Sequence, residues 1–110
     1  MKLLTYFKKL KKPSQPPLII RRVVGRSMDP RLVPGNVVLA RSWLKRVQPG
    51  DVVIAQYQGR EIIKRIERFE ADKVYVVGDN LVQSTDSRHF GWLTEQDIVA
   101  KVFWPNVHNA

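Results

Sequence analysis

Two side chains in this 110-residue sequence have the types and settings for acyl transfer, Ser27 and Lys64. Ser27 lies in Gly25-Arg26-Ser27-Met28-Asp29-Pro30, after the apolar run Leu18–Val24 and before the turn Pro30 to Val33. A serine that leaves a strand end and enters a tight bend can expose its hydroxyl, and its own N–H can face a substrate. The same place also suits a serine that only forms the turn. Lys64 lies in Glu61-Ile62-Ile63-Lys64-Arg65-Ile66-Glu67. Side chains alternate between faces along a strand, so Ile62, Lys64 and Ile66 share an apolar face. Glu61, Ile63, Arg65 and Glu67 share the other, mostly charged one. Lys64 therefore points inward between isoleucines. Either its head reaches water past a sheet edge, or burial lowers its pKa and makes the neutral amine available as a base.

The third segment is Gly78-Asp79-Asn80 followed by Ser84-Thr85-Asp86-Ser87-Arg88-His89-Phe90-Gly91. It reads as a polar loop between two strands, with Asp86 paired locally to Arg88. Its hydroxyls are also of the kind that can orient an amine.

The elements that must position these residues are mainly β. Val- and Ile-rich runs predict strands at Leu18–Val24, Val37–Arg41, Asp51–Gln56, Glu61–Arg68, Lys73–Val77 and Ile98–Phe103, punctuated by Pro34-Gly35-Asn36, Pro49-Gly50-Asp51 and Gly78-Asp79-Asn80. The connections are too short for crossover helices, so the sheet is expected to be antiparallel and coiled, or a partly open barrel. Leu3, Phe7 and Leu10 share one face if residues 1–12 form a short helix; a frayed basic tail is the alternative. Pro13, Pro16 and Pro17 end any such helix. The division expected is a basic tail and Pro-rich linker over 1–17 and a single domain over 18–110.

Composition narrows the chemistry. There is no cysteine, which excludes disulfides, thiolate metal sites and a cysteine nucleophile. His89 and His108 are the only histidines and form no metal-binding pattern, so neither metal nor cofactor is expected. The net charge is +9, and Lys2, Lys8, Lys9, Lys11 and Lys12 crowd the first twelve residues. Such an excess suits an anionic membrane surface or nucleic acid as well as simple solubility. No run approaches the ~20 apolar residues of a membrane span, and the start lacks the apolar stretch of a secretory signal. The expectation is a cytoplasmic protein with weak peripheral contact between its basic N-terminus and anionic membrane.

Taken in order, the three segments resemble the conserved boxes of the signal peptidase I family of serine/lysine peptidases, in the broader S24/S26 grouping. The nucleophile box resembles Gly25 to Pro30, the lysine box Lys64-Arg65-Ile66, and the last box Gly78-Asp79-Asn80 with Ser84 to Gly91; the turn Pro49 to Asp51 also fits. The resemblance spans roughly residues 20–104 and implies the small β catalytic core of that family. It implies Ser27 as nucleophile, Lys64 as general base and Ser84 as the hydroxyl that orients the amine. Asp86 and Arg88 match a structural pair, and Met28 and Pro30 shape the nucleophile turn. Gly25 stands where some members carry a serine that helps bind the oxyanion, so that donor is absent. Asn36 stands where Asp is common, and Glu67 to Asp72 replace a turn that often contains Gly.

The implied activity is endopeptidase processing of a protein precursor by removal of an N-terminal leader. The form expected has neither a transmembrane anchor nor a second β-domain, which resembles the maturation proteases of nickel-type superoxide dismutase. The SOS and phage repressors share the dyad, but their DNA-binding domain and Ala-Gly cleavage site have no counterpart here. The alternatives are a membrane-associated signal peptidase acting on secretory leaders, and a non-catalytic basic β-module binding nucleic acid through Trp43, Tyr57 and Trp92. The last leaves the three boxes unexplained, so no specific nucleic acid is expected as a partner.

Overall fold

The computed structural model describes residues 16–43 and 46–107, and the backbone of residues 8–9. Its strands are β1 (Lys8–Lys9), β2 (Leu18–Arg22), β3 (Val37–Arg41), β4 (Arg46–Val47), β5 (Val52–Tyr57), β6 (Arg60–Glu70), β7 (Lys73–Val77), β8 (Leu93–Thr94) and β9 (Ile98–Trp104). One short helix, α1 (Ser87–Phe90), precedes β8. Seven strands form a single antiparallel sheet in the order β2-β3-β9-β5-β6-β7-β8, and β1 pairs separately with β4. The sheet is not closed into a barrel, so the mainly β, open antiparallel expectation holds.

All six predicted strands form. The helix considered for residues 1–12 falls largely outside the described residues, and Lys8 and Lys9 within it are extended and paired with Val47 and Arg46. The tract 84–91 is not all loop, because Asp86 caps α1: its side chain accepts from the Arg88 N–H, and His89 Nδ1 accepts from the Asp86 N–H at 3.2 Å. This reciprocal capping satisfies donors that a helix start would otherwise leave unpaired.

The core lies on both faces of the sheet. Val52 and Ile54 join Ile19, Met28, Leu32, Val38 and Val102 in one cluster, while Val53 and Ala55 join Ile66, Val74, Val76 and Leu93 in the other. A strand covered on both faces reads as a continuous apolar run, as Val52-Val53-Ile54-Ala55 does. This corrects the expectation for β6. Ile62 and Ile66 do pack into the second cluster, but Ile63 packs against the first, so the face assigned to charge is also covered.

The β5–β6 hairpin turns through Gln58 and Gly59, with φ of 51° and 77°. Two successive positive φ values match the twist of a two-residue hairpin, and the hairpin carries Lys64 opposite Val53. In the β6–β7 turn, Ala71 takes φ 56°, a left-handed conformation that favours glycine.

Candidate active site

Lys64 is buried at 5% exposure, on the same face as Ile66. Burial pushes its pKa down; the nearby Asp86 charge pulls it up and the Arg88 charge pushes it down again. Among the described residues no carboxylate lies within ion-pairing distance of its ammonium. The inward setting expected from the period-two pattern is therefore present.

Its neighbour Arg65 faces the other way and is held by four hydrogen bonds. Nε and Nη2 each donate to Asp79 at 2.8 Å, and Nη1 donates to the carbonyls of Gly50 and Val107, both at 2.7 Å. Arg65 thus clamps the lysine strand to the Gly78-Asp79-Asn80 turn, the Pro49-Gly50-Asp51 turn and the C-terminal segment. In the sequence Arg65 looked like an exposed charge, and its partners lie too far along the chain for any local signal.

Ser27 sits in a turn anchored from inside. Met28 is buried at 1% exposure, its carbonyl accepts from the Leu32 N–H at 3.0 Å, and Leu32 is itself fully buried. Asp29 N–H closes on Arg26 O at 3.1 Å, and Pro30 lies exposed on the outer side. Gly25 has φ +80°, a conformation that side-chain-bearing residues rarely adopt. The Ser27 carbonyl accepts from the Asn80 N–H at 2.8 Å, whereas the Ser27 N–H donates in no backbone hydrogen bond among the described residues.

The third segment converges on the same place. Asp86 is fully buried. It accepts from Ser84 Oγ at 2.5 Å, Gly78 N–H at 2.8 Å, Arg88 Nε at 2.9 Å and Arg88 N–H at 3.1 Å. Burial pushes its carboxyl up, but these hydrogen bonds, led by Arg88, outweigh burial and hold it well below the carboxylate range. Gly78 is the contact point. A Cβ there would lie 2.2 Å from Ser84 Oγ and 2.6 Å from Ser27 O. The packing of Ser84 and Ser27 against one Cα explains the glycine.

Ser27 and Lys64 line one cleft of about 670 Å³. Its walls are the end of β2 with the serine turn, the start of β6 with the hairpin, and Gln83, Thr85 and Phe90. β2 and β6 are not neighbours in the sheet, so the cleft opens between them. Arg21 and Glu61 join the two walls, with Nε to Oε1 at 2.7 Å and Nη2 to Oε2 at 3.0 Å. This pair was also missed from the sequence, since its members are 40 residues apart. Tyr57 stacks on Phe90 with ring centroids 3.9 Å apart. Trp92 packs edge-on to Tyr75 beneath Arg68, and Trp43 is half-buried. The three aromatics named for a nucleic-acid surface are thus each partly buried. Among the described residues no cluster of His, Asp or Glu is arranged to hold a metal, and no helix is long and apolar enough to cross a membrane.

An open antiparallel sheet whose cleft carries a turn-borne serine and a desolvated lysine defines a class of β protein with the groups for hydroxyl-based acyl transfer. The Peptidase S24-like family matches residues 4–103, and the chain belongs to that family, which includes serine peptidases and LexA-like repressors. No curated relative matches the chain significantly.

Proposed function

We propose that this chain is a serine endopeptidase with a Ser27/Lys64 dyad that removes the N-terminal leader of a precursor protein. The observation that carries the reading is the sharing of one cleft by Ser27 and a buried Lys64 that has no ion-pair partner among the described residues. A lysine in water has a pKa of ~10.4 and is almost wholly charged near neutrality. Desolvation raises the fraction of neutral amine, which takes the Ser27 proton as the oxygen attacks the scissile carbonyl. The resulting ammonium then protonates the leaving amine. Water, deprotonated by the same lysine, releases the acyl group and restores the serine.

The bond from Ser84 to Asp86 supports a role for Ser84 as an acceptor. A hydroxyl has one proton, and that of Ser84 is given to the ionised Asp86. Toward Lys64 the Ser84 oxygen can therefore act only as an acceptor, taking an amine N–H and leaving the nitrogen lone pair for Ser27. The Ser27 N–H supplies one oxyanion donor; Gly25 brings no second side-chain donor. An extended substrate fits between β2, whose outer edge has no strand partner among the described residues, and β6. The leader of nickel-type superoxide dismutase is the substrate we favour over secretory leaders, with the enzyme cytoplasmic and its basic N-terminus in weak contact with anionic membrane.

The test is acylation. A peptidyl activated ester should leave an acyl group on Ser27, located by peptide-mapping mass spectrometry, and Ser27→Ala should abolish both this label and precursor cleavage, a loss on the order of a millionfold in turnover. Cleavage by Ser27→Ala within tenfold of wild type would remove Ser27 from the mechanism. Comparison of protein N-termini in source cells with and without Ser27→Ala would name the precursor and its cut site.

A further inference from the structure

The cleft wall carries much more positive than negative charge. Arg21 and Arg22 of β2, Arg26 of the serine turn and Arg60 of the hairpin all line it, against one lining carboxylate, Glu61. That carboxylate is already engaged by Nε and Nη2 of Arg21. Arg26 likewise meets Asp29 at 3.1 Å. Arg22 and Arg60 differ. Among the described residues neither has a carboxylate within ion-pairing distance. Arg22 uses one Nη1 donor on the Gly35 carbonyl at 2.9 Å, which leaves further donors of its guanidinium fork, and Arg60 stands exposed.

These two guanidiniums belong to the two walls between which an extended chain would run. A guanidinium fork binds a carboxylate through paired charge-assisted hydrogen bonds. We propose that the cleft selects peptides carrying an acidic side chain beside the scissile bond, with Arg22 and Arg60 as the recognising groups. The inference rests on the cleft being the peptide site, but it does not require Ser27 to react.

The experiment uses the full chain with Ser27→Ala and three fluorescent decapeptides. Each has an alanine-rich centre flanked on both sides by aspartate, asparagine or lysine, and binding is followed by anisotropy. The aspartate peptide should bind about tenfold more tightly than the asparagine peptide, the scale of a hydrogen bond to a charged group. Arg22→Gln and Arg60→Gln should each reduce that preference, and Arg60→Glu should turn it toward the lysine peptide. Lys73→Gln, outside the cleft, controls for the general positive charge and should leave the preference unchanged. Equal affinities for the three peptides, no binding of any of them, or a preference that falls as far with Lys73→Gln as with Arg60→Gln would overturn the inference. Aspartate preference with no acylation of Ser27 in the wild-type chain would sustain the acidic-peptide site and sink the peptidase reading instead.

Discussion

On one side of the cleft, Asp86 is fully buried and gathers Ser84, Gly78 and Arg88 around it, with Arg65 and Asp79 clamping the adjoining turn to β6. On the other side, β2 is the sheet's outer strand and meets β6 through the Arg21–Glu61 pair, whose side chains are 40% and 27% exposed. A buried carboxylate with every hydrogen bond made fixes geometry, because breaking one leaves a polar group desolvated and unpaired. An exposed ion pair contributes little and re-forms readily. The wall that holds Ser84 is thus rigid. The wall that would admit substrate is held by an interaction that water can replace.

The largest effect on stability should come from Gly78→Ala. The added methyl group would overlap Ser84 and the Ser27 carbonyl, neither of which is the free end of a long side chain. A cost of about 3 kcal/mol or more is expected from such overpacking, measured by denaturant unfolding, with loss of cleavage. A Gly78→Ala protein of wild-type stability would show that the Asp86 wall is not rigid.

Asp86→Asn should cost about 3 kcal/mol near neutral pH, since an amide cannot accept from Ser84, Gly78 and Arg88 together. The sign of its pH dependence follows from the depressed pKa. The Asp86 contribution is complete above the ordinary carboxylate value of 3.8 and is lost as pH falls toward the lower folded-state value. The stabilities of wild type and variant should therefore converge below about pH 4. A gap that persists unchanged in acid would show that the Asp86 charge is not its source.

Lys64→Met should lower cleavage about a thousandfold, the scale of a lost general base, while leaving stability unchanged or higher. Burial lowers the Lys64 pKa, so below the folded-state value the charged amine opposes folding. The variant's advantage should be greatest there and disappear as pH rises past the ordinary lysine value of 10.5. In the wild type, kcat/KM should rise with pH to an inflection below that same value. Full activity in Lys64→Met would end the dyad reading.

The smallest change is expected of Glu61→Gln. Its stability cost should stay within about 1 kcal/mol, and any effect on cleavage should appear in KM rather than kcat. A cost as large as that of Asp86→Asn would erase the distinction between the two walls.

Much of this was legible in the chain itself. Val37–Arg41 and Lys73–Val77 were located to the residue, because short strands bounded by glycine and proline carry a local signal. The inward Lys64 followed from period-two alternation, since a strand's faces are fixed by covalent geometry. The ordered motifs around Ser27, Lys64 and Ser84 nominated the residues that the folded chain brings to one cleft and its wall. The tertiary structure decided the rest. Covering both faces of β5 and β6 depends on what packs against them, which made Arg65 a clamp instead of a surface charge. Asp86 became a helix cap and the centre of a buried network only once Gly78 lay against Ser84. The cleft exists because β2 and β6, separated in the sheet, converge without pairing. Local sequence sets strand faces and turns, but which distant groups share a desolvated space is set by packing, and the pKa of Lys64 depends on that space.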